Sequence, residues 1–230
     1  MGRAVRDHLV EFPEIELCAC VSPREPAARA TPAPGPLWLT PETLATHRRR
    51  EGLPDEIVVL DFSLAAGTAA LVKILATWPR PLVSATTGLD AATSSTLDAL
   101  SRRVPVFRAP NLSFGNAVVE QMLRALPPAA RAQVEADIVE HHHSGKKDAP
   151  SGTAVALSRI LGSQVRIHSI RAGTVPGTHR VILSSADETI EIVHTVTNRA
   201  VFARGALRAV RFVAGRAPGL YTTEHLLSES

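Results

Sequence analysis

The chain has 230 residues, with Lys+Arg 25 against Asp+Glu 22 and a formal net charge of +3. That length suits one large domain or two small ones. Apart from His47-Arg48-Arg49-Arg50, its arginines are scattered, so no continuous basic stripe offers a nucleic-acid surface. No run of about 18 apolar residues and no apolar core of a secretion signal occurs, so no membrane span is expected and the protein is read as soluble and cytoplasmic.

The apolar run Ile15 to Val21 predicts a buried strand that carries Cys18 and Cys20 on opposite faces, both read as reduced thiols. The Pro- and Ala-rich segment Arg24 to Pro36 then predicts a loop. Ile57 to Phe62 reads as the next strand. It leads into a helix over Ala65 to Trp78, where Leu71, Leu75 and Trp78 recur at helical spacing until Pro79 stops the pattern. Leu82 to Ala85, Ala91 to Arg103 and Val104 to Phe107 continue as strand, helix and strand. Alternation of this kind predicts parallel βαβ units with helices on both faces.

The second half changes character. After a helix near Asn116 to Leu126 come four strand-type runs, Ala136 to His142, Gln164 to Ala172, His179 to Ser185 and Thr189 to Thr197. Only a helix over Thr153 to Leu161 interrupts them, so a mixed or antiparallel sheet in a smaller α+β domain is expected. Gly205 to Val213 is a helical pattern that returns to the first domain. The expected division is 1–112 with the return 205–230, and 113–204.

The densest polar cluster runs Glu140-His141-His142-His143-Ser144-Gly145-Lys146-Lys147-Asp148-Ala149-Pro150-Ser151-Gly152-Thr153, after a strand and into a helix. Pro150 and Ser151 suit a helix start, so the backbone N–H groups of Ser151, Gly152 and Thr153 are expected to face outward at the positive end of the helix dipole, where carboxylate or phosphate binds. Consecutive histidines on an extended segment alternate in direction, so the three do not converge on one metal and no metal is expected. Histidine and lysine beside an anion site suit proton transfer. A solvated loop with ordinary histidines is the alternative that the cluster alone leaves open.

The pattern Glu-x-His-His-x-x-Lys-x-Asp-x-Pro-Ser-Gly-Thr-Ala, matched by Glu140 to Ala154, resembles the dihydrodipicolinate reductases. Further matches are Asp61-Phe62-Ser63, Thr86-Thr87-Gly88, Ala109-Pro110-Asn111-Leu112-Ser113, Pro176-Gly177-Thr178 and Phe202-Ala203-Arg204-Gly205-Ala206. The resemblance implies a Rossmann-like domain joined to the smaller one, and reduction of a cyclic dicarboxylate by NADPH or NADH. It implies His142 as general acid–base and Lys146 as proton donor, with His143, Ser151, Gly152 and Thr153 on the substrate. It also implies a homotetramer built through the second domain's sheet, and cofactor contacts from Gly2, Ala85, Thr86, Thr87 and Ala109 to Leu112. Ala85 stands where relatives carry glycine, and Leu64 where many carry arginine.

The family's first strand and Gly-x-x-Gly-x-Met-Gly turn are represented here only by Met1 and Gly2, ahead of a helix near Arg3 to Val10. A longer natural product, with Met1 as an internal methionine, is therefore expected. A cofactor-deficient paralogue that keeps the dicarboxylate pocket is the second expectation considered, and a metal hydrolase using the three histidines the third. Val21-Ser22-Pro23-Arg24 lacks the carboxylate that binds the ribose hydroxyls of NADH, so NADPH is expected to serve at least as well.

Overall fold

Helix α1 (Gly2–His8) leads through a 3₁₀ turn to strand β1 (Ala19–Val21), which pairs in parallel with β2 (Leu37–Leu39) ahead of helix α2 (Pro41–His47). The computed structural model describes residues 1–23, 35–47, 53–162 and 164–228. Most of the expected Pro-rich loop, Arg24 and the arginines of the His47–Arg50 run lie outside the described residues.

Next come β3 (Val59–Asp61), α3 (Ala65–Thr77), β4 (Leu82–Ser84), α4 (Ala91–Ser101) and β5 (Pro105–Arg108). With β10 (Gly219–Tyr221) they form an all-parallel sheet of order β10-β5-β4-β3, as the alternation of strand and helix predicts. Among the described residues β1 pairs only with β2, and β3 only with β4. Val72, Leu75, Leu82, Leu97, Leu100 and Val106 form the core under α3 and α4. Helix α4 starts where Asp90 accepts a hydrogen bond from the Thr93 amide at 2.7 Å.

The second unit contains α5 (Phe114–Ala125), α6 (Pro128–Arg131), β6 (Glu135–His142), α7 (Gly152–Leu161), β7 (Arg166–Arg171), β8 (Gly177–Ser184) and β9 (Thr189–Val196). Its sheet has the order β7-β6-β8-β9, parallel between β6 and β7 and antiparallel elsewhere, which is the mixed sheet expected. Val119, Leu123, Ala154 and Leu157 of α5 and α7 pack on Ile138, Val181 and Leu183 from alternate positions of β6 and β8. The guanidinium of Arg131 closes the helix ends by donating to the carbonyls of Leu123, Arg124 and Leu126 at the end of α5 and of Ile160 in α7.

Helix α8 (Ala200–Val213) begins five residues earlier than the expected Gly205 start, with Asn198 Oδ1 accepting from the Ala200 amide at 2.8 Å. The two compact units are Met1–Ala109 with Ala206–Thr222, and Pro110–Gly205 with the segment from Thr223 onward. The expected division therefore shifts at both ends. Pro110 to Leu112 group with the second unit, and so does α9 (Thr223–Leu227), which packs on α5.

Candidate active site

Strand alternation places Ile138, Glu140 and His142 on the helix-covered face of β6 and His141 on the other. Glu140 is completely buried, and every contact of its carboxylate is a donor. Arg171 reaches it from β7 in fork geometry, Nη1 to Oε2 at 2.9 Å and Nη2 to Oε1 at 2.7 Å. The Ser151 amide donates to Oε1 at 3.2 Å, and His142 Nδ1 is bonded to Oε2. Burial alone would raise the carboxyl pKa, but the donors, led by Arg171, outweigh it and hold Glu140 at about 2. Burial keeps His142 below the usual imidazole value, helped by Lys146 and Arg171 and opposed by Glu140.

Ser151 is the N-cap of α7, and its hydroxyl accepts from the Ala154 amide at 3.2 Å. Because the Ser151 amide goes to Glu140, it does not face outward as the sequence suggests, which leaves the Gly152 and Thr153 amides at the helix end. Gly152 is exposed, with open space where a Cβ would stand. Asn111 Nδ2 donates to Thr153 Oγ1 at 3.0 Å while Asn111 Oδ1 accepts from the Ser113 amide at 2.9 Å, so this side chain braces the starts of α5 and α7. Thr153 keeps its own hydroxyl proton to donate.

The buried His179 on β8 and its half-buried cross-strand neighbour His194 on β9 back these helix starts. His179 Nε2 lies 3.0 Å from Ser151 Oγ, and His194 Nε2 lies 3.2 Å from Ser113 Oγ, the N-cap of α5. Burial pushes both imidazoles down, His179 to about 4 with His142 adding to the shift. Both are therefore neutral near pH 7.

Lys146 Nζ is 2.8 Å from Asp148 Oδ1, in the turn whose Asp148 carbonyl accepts from Arg171 Nη2 at 2.6 Å. Arg199 Nη2 donates to His143 Nε2 at 2.7 Å, which makes that nitrogen an acceptor. His141 Nε2 is bonded to the Ala172 carbonyl, so the three consecutive histidines do not converge. Atoms of Glu140, His142 and His179 do lie within 4.8 Å of one another. The oxygens of Glu140, however, are filled by donors that include an arginine, and this opposes a metal ion there.

In the first unit Asp61 ends β3 and collects five donor bonds, from the Ser63 amide and the hydroxyls of Ser63, Thr68, Ser84 and Thr86. It draws together the loops after β3 and β4, where a dinucleotide binds at the carboxyl ends of a parallel sheet. Ala85, Thr86, Thr87 and Ala109 stand at those ends, and their small side chains with Gly88 at φ 70° fit a planar ring approaching the backbone. Gly2 opens α1 with open space at its Cα. Pro110 is exposed, whereas Leu112 is buried with its carbonyl against Gly205.

Sequence reasoning assigned no role to Glu140, Arg171, His179, His194 or Arg199. The two-residue spacing of Glu140 and His142 could have revealed that pair; the others depend on strand register.

The models of dihydrodipicolinate reductase match the chain in two parts, the N-terminus over residues 1–112 and the C-terminus over 115–227. A 4-hydroxy-tetrahydrodipicolinate reductase of Stenotrophomonas maltophilia is 38% identical over 231 residues, covering 99% of this chain and 93% of the relative. The enzyme of that name from Thermomicrobium roseum is 37% identical, covering 99% and 95%. The dipicolinate-bound dihydrodipicolinate reductase from Paenisporosarcina sp. TG-14 shares the fold, with a TM-score of 0.73 at 20% identity over 96% of this chain and 92% of that one. By sequence along nearly its whole length, this chain belongs to the dihydrodipicolinate reductase family.

Proposed function

We propose that the protein reduces 4-hydroxy-tetrahydrodipicolinate to tetrahydrodipicolinate with NADPH or NADH, in lysine biosynthesis by the diaminopimelate route. The observation that carries this reading is the meeting, within one unit, of His142 bonded to the Glu140 carboxylate, Lys146 and the open start of α7. The Gly152 and Thr153 amides and the Thr153 hydroxyl take a ring carboxylate. His143 is assigned a further contact to the substrate, and Ser151 contributes by anchoring the turn. Bound NADPH or NADH supplies the hydride for ring C4. His142 and Lys146 carry the protons: as water is lost, the 4-hydroxyl takes up one proton and the ring carbon next to C4 gives one up, and after hydride reaches C4 a proton returns to that neighbouring carbon, so one hydride and one proton are consumed overall.

Cofactor contacts are assigned to Gly2, Ala85, Thr86, Thr87 and Ala109, and to Pro110, Asn111 and Leu112 in the segment that follows. Since the Asn111 and Leu112 side chains are engaged internally, backbone atoms make those contacts. A homotetramer formed through the open face of the second unit's sheet is supported by Ile170 and Val193, which are 45% and 50% exposed there. Among the described residues no helix is long and apolar enough to cross a membrane, and a cytoplasmic location fits the chemistry.

The test is NADPH or NADH oxidation with freshly generated substrate, accompanied by titration with NADPH. Turnover supports the reading. Dicarboxylate binding without nucleotide binding or turnover would replace it with the cofactor-deficient paralogue.

A further inference from the structure

We propose that Glu140, held by Arg171, is a positioning residue that sets the proton-bearing atom of His142: it fixes hydrogen on Nδ1 and leaves Nε2, packed over Gly177, to exchange the proton with substrate. This rests on the reading of His142 as the general acid–base.

The argument begins with the charge of Glu140. A carboxylate that receives both Arg171 nitrogens and the Ser151 amide is ionised and can only accept. The contact between His142 Nδ1 and Glu140 Oε2 then requires the hydrogen to sit on Nδ1. In the neutral ring the lone pair must be on Nε2. No protein group among the described residues is bonded to that nitrogen.

Gly177, the first residue of β8, accounts for the Pro176-Gly177-Thr178 motif at this point. A Cβ there would stand 2.9 Å from His142 Nε2 and 3.2 Å from Cδ2, too close for the ring to keep its place. Only a glycine leaves the ring upright between Glu140 and the space beyond Nε2.

Arg171 extends the arrangement to the second proton carrier. Its Nη2 also donates to the Asp148 carbonyl, and Asp148 holds Lys146 Nζ. Glu140 and Arg171 therefore tie His142 on β6, the Lys146 turn and the α7 cap to one buried charge pair. The charged and titratable groups facing His142 are Glu140 on its own strand, Lys146 in the turn, Arg171 on β7 and His179 on β8.

A purely structural buried pair would stabilise the fold without setting a tautomer, and the two roles separate by experiment. In full-length protein labelled with ¹⁵N-histidine, long-range ¹H–¹⁵N spectra should show His142 protonated on Nδ1. In Glu140→Gln, with Arg171 donating to the amide oxygen, the amide NH₂ faces His142 and should move the hydrogen to Nε2. Turnover should then fall by roughly 10²-fold, with KM for the dicarboxylate changed less than about threefold because the α7 N-terminus persists.

If Glu140→Gln does not fold, Gly177→Ala takes its place: it keeps the Nδ1 hydrogen but displaces Nε2, and turnover should fall comparably. An Nε2–H tautomer in the wild type overturns the proposal, as does near wild-type kcat in a folded Glu140→Gln or, failing that, in Gly177→Ala. Full turnover in His142→Ala would instead refute the acid–base reading, a failure told apart by the tautomer spectra, which report on Glu140 without reference to activity.

Discussion

Arg171→Met removes both of its donors to Glu140 and the bond to the Asp148 carbonyl, and leaves a wholly buried carboxylate with Ser151, His142 and Ser169 but no cationic partner of fixed charge. Burial already works to raise the Glu140 pKa, and Arg171 is the first of the groups that counter it. Breaking a buried pair from one side costs about 3–5 kcal/mol, a large share of a stability of roughly 5–15 kcal/mol. With a urea dependence of about 2 kcal/mol/M, the midpoint should fall by roughly 1.5–2.5 M. Trp38 and Trp78, the chain's 2 tryptophans, both lie in the first unit. Their fluorescence therefore follows that unit, while far-UV circular dichroism includes the loss in the second. Replacing the partner as well, as Arg171→Met with Glu140→Leu, should recover most of the loss, because no uncompensated charge remains. A cost below about 1 kcal/mol for the single variant, or a double variant no more stable than the single, would refute the reasoning.

Gly205→Ala would place a Cβ 1.8 Å from the Leu112 carbonyl oxygen, a backbone atom that cannot swing aside; a loss beyond the usual overpacking cost of about 1–3 kcal/mol is expected in urea titration, and an unchanged midpoint would contradict the packing described. Lys146→Ala should lose most turnover while calorimetry finds NADPH affinity nearly intact, since its contacts lie in the substrate cluster. His179, with a folded pKa of about 4 below the ordinary imidazole value, binds fewer protons folded than unfolded. Its neutral form should contribute fully above about pH 6.5, and that contribution should fall by on the order of 1.4 kcal/mol per unit down to about pH 4. His179→Gln should flatten that slope in thermal melts across the window, and an unaltered slope would exclude His179 as its source. The kcat/KM ratio for NADPH over NADH should be at least one, and a clear NADH preference would remove the argument from Val21 to Arg24.

The sequence by itself carried what depends on neighbours along the chain. The alternation of strand and helix from Ile57 to Phe107 identified the parallel sheet, and Ser151 marked the start of α7 within a residue because an N-cap is a local interaction. Period-two reasoning also sent His142 to the opposite face from His141. Strands β2 and β10 escaped notice because Pro36 and Thr40, and Pro218 and Thr222, bound them too closely for an apolar run to show; Leu37–Leu39 and Gly219–Tyr221 are strands through pairing with β1 and β5. Tertiary structure alone decided what surrounds the histidine. Arg171 faces Glu140 only because β6 and β7 pair in parallel, setting His142 opposite Arg171 and Glu140 opposite Ser169. Gly177 and His179 reach the same spot only through the antiparallel register of β8. A buried carboxylate draws its partners from distant segments because no local group can offset its desolvation, and those partners set the state of His142.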